Sequence, residues 1–293
     1  MSLMNLFISS LVQSAAQAMG DNSTHTLHVE ESSYVNSDSL MFSFSDFMDP
    51  TSIAKGIHAV AGAFLIYWIL RPEYATKLFG FKTDPSSMSL CNVMLHVALS
   101  ACATGYFVFF ENREALSAVT LGRLPLYFLC AKYVLNWDNK YANVHQGDYA
   151  KKHHVSYCIL ITINSILVYL GSPIAKYPIM GGLYLALIQS IRAMLNTKLT
   201  VERLEGSKAV EKSEIIALHR ICATVTIQFT VFSLALLHEV KPIRAFGIEL
   251  IANILCKLYK ELVFNDSSKN GFNHKLGAFI TMIYISVVRF FWA

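Results

Sequence analysis

Inside the long apolar stretches of this sequence, side chains able to hold a charge or move a proton are few. Arg123 and Glu249 lie deepest, with Lys132 and Lys257 one or two turns from the ends of their stretches. An ionisable group in a lipid-buried helix costs about 2.5–3.5 kcal/mol on insertion scales, so it is rarely idle and usually faces the bundle interior. A guanidinium holds a carboxylate through two parallel hydrogen bonds, the geometry that best offsets the loss of water. Arg123 and Glu249 are therefore expected to face one another as a buried ion pair near a central cavity. Three roles stay open for them: a pair that only fixes helix packing, a substrate or proton site, or two side chains that snorkel to separate interfaces and never meet. Asn253 follows Glu249 by four residues, on the same helix face, and is expected to line the same cavity. Glu249, Arg123 and Asn253 are thus the candidate catalytic residues.

The histidines carry a less specific signal. His96 and His219 fall within two turns of the start of their apolar stretches and His58 early in the first. Paired helical histidines ligate haem and neutral imidazoles shuttle protons, but His58 and His96 belong near opposite ends of sequential antiparallel helices and are read as hydrogen-bonded or interfacial. His145, His153 and His154 resemble the clusters of membrane di-iron oxygenases only superficially, because no further HxxxH box supplies the remaining ligands. Asn164, Gln189, Gln228 and Asn253 are expected to hydrogen-bond across helices. Tyr184, Tyr259 and Trp137 suit interfacial anchoring or packing. The six cysteines, Cys91, Cys102, Cys130, Cys158, Cys222 and Cys256, form no CxxC pair and read as small hydrophobes. No cofactor and no metal is expected.

What must position these groups follows from composition. The chain has 293 residues, 54% hydrophobic and 15% charged, whereas soluble domains carry about 25% charged residues. Apolar runs of about 20 residues recur with polar punctuation only between them, so the expected partner is the lipid bilayer. The net charge of +4 does not suggest nucleic acid. Eight spans are expected, near Ile53–Leu70, Leu90–Phe110, Ala115–Leu135, Val155–Leu170, Tyr177–Leu195, Ile215–Leu237, Ile243–Phe264 and Leu276–Trp292. Pro72, Pro85, Pro173, Pro178, Pro242 and Gly271 punctuate them. The expected fold is all-α and polytopic.

Residues 1–50 are polar, mildly acidic and read as an extramembrane tail. Met4 to Val12 followed by Ala16-Gln17-Ala18 reads either as an h-region with a cleavage site or as a short surface helix. Arg71, Lys77, Lys82, Lys140, Lys151, Lys152, Lys198, Arg203, Lys208, Lys212, Lys269 and Lys275 fall in loops that share one side of an eight-span chain. The positive-inside rule puts those loops in the cytosol and both termini in a lumen or outside, in the endoplasmic reticulum or another secretory-pathway membrane. Of the sequons Asn22-Ser23-Thr24 and Asn265-Asp266-Ser267, only the first is then expected to be glycosylated.

Sliding the chain on itself by about 126 residues lays the second and third spans on the sixth and seventh. Cys130 meets Cys256, Tyr133 meets Tyr259, Thr104 meets Thr230 and Arg123 meets Glu249. The expected organisation is a duplicated four-helix bundle, with units at 51–172 and 173–293. Four is an even number of spans, so the units would lie parallel, about an axis along the membrane normal. The first unit opens with Gly56-Ile57-His58-Ala59-Val60-Ala61-Gly62, then Arg71-Pro72-Glu73 and Phe79-Gly80-Phe81 before the next apolar run. In these features it resembles DoxX-like membrane proteins. The resemblance implies a compact bundle of short-looped helices and brings no catalytic motif, and the corresponding loop of the second unit lacks the Pro and Phe-Gly signals.

No DDxxD, GxSxG, Walker or HExxH motif is present. Three classes of function remain. The first is a membrane enzyme acting on a lipophilic small molecule by acid-initiated isomerisation, cyclisation or lipid modification, with Glu249 as proton donor. The second is a transporter or channel with a path between the repeats. The third is an accessory subunit with membrane-protein partners. The enzyme leads because the deep charges are few and coincide under the repeat.

Overall fold

The computed structural model describes residues 49–135 and 148–264, and among them every regular element is helical. The chain starts with α1 (Pro50–Leu70), where Asp49 caps the first turn by accepting from the Ser52 amide at 3.0 Å and Pro50 takes the first helical position. It stops at Arg71, the residue that Pro72 holds out of helical geometry, and α2 (Pro72–Leu78) follows at once. The same device opens α3 (Pro85–Phe109), with the Asp84 carboxylate accepting from the amides of Ser86 and Ser87 ahead of Pro85. After α4 (Ala115–Gly122), α5 (Leu124–Val134) and α6 (Asp148–Tyr169) come α7 (Lys176–Leu195), α8 (Thr197–Glu205), a 3-10 turn (Ser207–Glu211), α9 (Ser213–Leu237) and α10 (Pro242–Phe264).

Among the described residues α1, α3, α7 and α9 are long and apolar enough to cross a membrane. They run 20 to 25 residues, which at 1.5 Å per residue is about 30–37 Å, the thickness of a hydrocarbon layer. They do not share the same environment. In α3 and α9, 72% of the apolar window is buried inside the protein, and in α1 and α7 only 22%. The two buried helices pack on each other at the centre, with α1 and α4 against α3, and α7 and α10 against α9. Their contact surface holds Val97, Ala101 and Phe109 of α3 with Phe229 and Phe232 of α9. The rim turns apolar side chains outward: Val60, Phe64 and Tyr67 on α1, Ile159, Ile163 and Ile166 on α6, Leu185 and Ile188 on α7. Such stripes recur at helical spacing and would be costly in water, whereas they suit lipid. This is the architecture of an all-helical integral membrane protein.

One span departs from the expected single helix. The stretch expected at Ala115–Leu135 is two helices broken at Arg123. Pro125 is the cause, because it brings no amide for the Leu121 carbonyl and its ring clashes there. The Arg123 amide turns instead to the Thr120 carbonyl at 3.3 Å, a tighter turn than the α-helix. The stretches expected at Val155–Leu170 and Ile243–Phe264 are helical as α6 and α10, but the apolar part of α6 is the shorter His154–Tyr169, and α10 carries Arg244, Glu249, Lys257, Lys260 and Glu261. The expected eighth span and the tail before residue 49 lie outside the described residues.

Glycine sets two close approaches. A β-carbon on Gly105 of α3 would overlap the His58 ring of α1, and one on Gly122 would overlap Thr104 Oγ1 and stand 2.8 Å from the Thr104 backbone nitrogen. Both α1 and α4 thus close on adjacent residues of α3.

Candidate functional site

The middle of α10 presents its polar residues inward. Glu249 and Asn253, one turn apart on one face, are both buried, and Glu249 Oε2 and Asn253 Oδ1 have no hydrogen-bond partner. Cys102 of α3 lies within electrostatic reach of the Glu249 carboxyl. A β-carbon on Gly62 of α1 would stand 3.9 Å from Cys102, so α1, α3 and α10 converge here. One turn before Glu249, Phe246 packs on the His58 ring at 4.7 Å between centroids, closing one side of the site. Two acceptors without donors, away from water, cost free energy that a protonated carboxyl or a donating ligand recovers.

Arg123 sits elsewhere. The break between α4 and α5 sets its side chain over the Tyr157 ring of α6, 5.5 Å from the centroid, and near Gly182 of α7, where a β-carbon would stand 3.9 Å from Nη2. The side chain is buried and Nε has no hydrogen-bond partner. The ion pairs found among the described residues include Lys82–Glu214, Arg113–Glu111, Lys176–Glu239 and His219–Glu205, and neither Arg123 nor Glu249 is in one. The expected Arg123–Glu249 pair is therefore not formed. The guanidinium goes to α6 and α7, while Glu249 faces α3, so equivalent positions in a 126-residue shift do not become neighbours.

Two other expectations change. Asn164 is buried with neither amide atom bonded, and Asn253 Oδ1 is likewise unbonded, so the expected cross-helix hydrogen bonds are not made by Asn164 or by the Asn253 oxygen. His58 and His96 do have partners, each ring Nδ1 lying 2.7–2.8 Å from the carbonyl four residues earlier, Ala54 and Asn92.

The structure also gathers polar residues that sequence reasoning did not connect. Ser89 of α3 meets the Tyr133 hydroxyl of α5 at 3.0 Å. The Tyr133 ring stacks on His154 of α6 at 5.1 Å, and His154 Nδ1 reaches Cys130 Sγ at 3.4 Å. Near the start of α9, buried His219 lies 3.4 Å from the Glu205 carboxylate. The signal available was spacing alone: Cys130 and Tyr133 share a face of α5, three residues apart.

No protein-family model matches the chain, and no curated protein or solved structure matches it.

Proposed function

We propose that this integral membrane protein is an enzyme acting on a lipophilic small molecule, with Glu249 as the proton donor. The observation that carries the reading is the pair of buried, unbonded oxygens on one face of α10, Glu249 Oε2 and Asn253 Oδ1. A carboxylic acid surrounded by apolar side chains and facing no cation can give its proton to a substrate carbonyl or double bond without competition from water. Asn253, through its amide, orients the substrate oxygen or the acid itself. Arg123, which forms no ion pair with the acid, takes no part in that transfer.

In this proposal the chain crosses the membrane eight times in two four-helix units, 51–172 and 173–293, with Lys-rich loops in the cytosol and both termini in the lumen of the endoplasmic reticulum or a related membrane. The order of elements supports the duplication. Helices of 21, 7 and 25 residues in α1, α2 and α3 are followed later by helices of 20, 9 and 25 in α7, α8 and α9.

The test is turnover by the purified full chain in liposomes made from total membrane lipid, followed by mass spectrometry of the lipid fraction. New product is expected with the wild type and none with Glu249→Gln, which keeps the shape of the side chain and cannot donate an acidic proton. Product formation by Glu249→Gln at the wild-type rate rejects the reading. Flux across the liposome wall without chemistry, or copurification of fixed partner subunits, would replace it.

A further inference from the structure

We propose that Arg123 is the head of a second site, which binds an anionic amphiphile: a carboxylate or phosphate monoester carried on an apolar tail. Arg123 is 3% exposed and is in none of the ion pairs among the described residues. Tyr157 supports the guanidinium through its ring and a side-chain hydrogen bond but carries no formal charge, and Nε lacks a hydrogen-bond acceptor. A buried guanidinium with an unused donor and no anionic partner is completed by a planar or tetrahedral oxyanion, which it grips through charge-assisted hydrogen bonds.

A second buried group points the same way. Asn164 is 1% exposed and leaves both Nδ2 and Oδ1 unbonded. It follows Tyr157 by seven residues, two turns along the same face of α6, with buried Ile161 between them. The amide supplies a donor for an oxyanion and an acceptor for a neighbouring hydroxyl.

The fold gives the tail a route. Though consecutive, α6 and α7 pack on different partners, α6 on α4 and α5, and α7 on α9. Their outward residues Ile163, Ile166, Leu185 and Ile188 are exposed. At the seam Gly182, lacking a side chain, lets Leu160 of α6 and Arg123 Nη2 approach α7 closely, a β-carbon there standing 3.2 Å from Leu160 and 3.9 Å from Nη2. An amphiphile lying in the bilayer would set its head on Arg123 and its tail along this seam. The site is independent of the acid on α10.

The experiment uses the full chain in nonionic detergent and palmitate bearing a diazirine in its chain, with the methyl ester of the same probe as the neutral control. The free acid is expected to label the wild type about tenfold or more above the ester, and Arg123→Gln to remove that excess, the scale of losing one partner of a buried charge pair. Arg123→Lys should keep part of it, and Glu249→Gln should label as the wild type does. Protection by unlabelled palmitate alone assigns the carboxylate as the natural head, and protection by phosphatidic acid alone assigns the phosphate. Equal labelling by ester and acid in the wild type overturns the proposal, and this comparison needs no variant to fold. Wild-type labelling of an Arg123→Gln protein with unchanged thermal unfolding, or protection by neither competitor, overturns it as well.

Discussion

Replacing Gly105 by alanine puts a methyl group where the His58 imidazole already sits. The ring has little freedom to yield. Its Nδ1 lies 2.7 Å from the Ala54 carbonyl, and Phe246, Phe109 and Phe232 surround it at 4.7, 5.3 and 6.1 Å. Overpacking a core costs about 1–3 kcal/mol, and an overlap with a trapped ring belongs at the upper end. Alanine for glycine inside a helix returns about 1 kcal/mol, so Gly105→Ala should destabilise by about 2 kcal/mol. His58→Ala empties the space and should cost about 2–5 kcal/mol, as truncations of buried side chains do. In the double variant the methyl group enters the vacated volume, the overlap vanishes and the helix gain remains. The double variant should therefore be more stable than His58→Ala alone by about 1 kcal/mol, and the two single effects should overshoot the double by about 3 kcal/mol. The assay is thermal unfolding in detergent, read by a thiol-reactive fluorophore that reports exposure of buried Cys91, Cys130 and Cys256. At roughly 2 °C per kcal/mol for a chain of this size, the departure from additivity is about 6 °C. Effects that add to within about 0.5 kcal/mol would refute the close approach of α1 and α3 at this point.

The remaining predictions use the same assay. Gly122→Ala, whose β-carbon would meet the Thr104 backbone, should lower Tm by about 2–6 °C because backbone retreats less readily than a side chain. Gly56→Ala, with nothing within 4 Å of the new atom, should leave Tm unchanged or raise it by about 2 °C through helix propensity. Lys176→Ala should move Tm by no more than about 1–2 °C, since its partner Glu239 is 85% exposed and a solvated ion pair contributes little.

The long helices were legible because hydropathy and proline spacing report them directly. Hydropathy places the starts of α1 and α3 late, at Ile53 and Leu90, because it begins at the apolar residues and passes over the Asp49-Pro50 and Asp84-Pro85 caps where the helices open. The break at Arg123 was not, because Leu124 and the residues after Pro125 continue the apolar run, and a reading built on hydropathy passes over one ring that lacks an amide proton. The short helices α2 and α8 were read as loops for a related reason. They bury only a few side chains, Ala75 and Thr76 in one and Thr197 and Val201 in the other, and the rest is mixed in polarity. Of the site, burial of Glu249, Arg123 and Asn253 follows from their depth in apolar stretches, while their partners do not. A shift that equates two positions makes them alike in environment, and like positions face one another only on the axis that relates them. The meeting of Tyr133, His154 and Cys130 depends on the packing of α5 on α6, which no periodicity encodes.

The central pairing of α3 and α9 bears on how the protein is made. Cys222 of α9 reaches the Leu90 carbonyl of α3 at 3.5 Å, and Phe229 and Phe232 cluster with Val97 and Ala101, yet α9 begins at Ser213, about 100 residues after α3 ends at Phe109. At a synthesis rate of about 5–20 residues per second, that face of α3 waits roughly 5–20 s for α9. During that interval the insertion machinery or lipid must stand in for α9 along α3. Shortening the delay by expressing the second half first, or as a separate chain, would change the yield of assembled protein without altering a single contact in it.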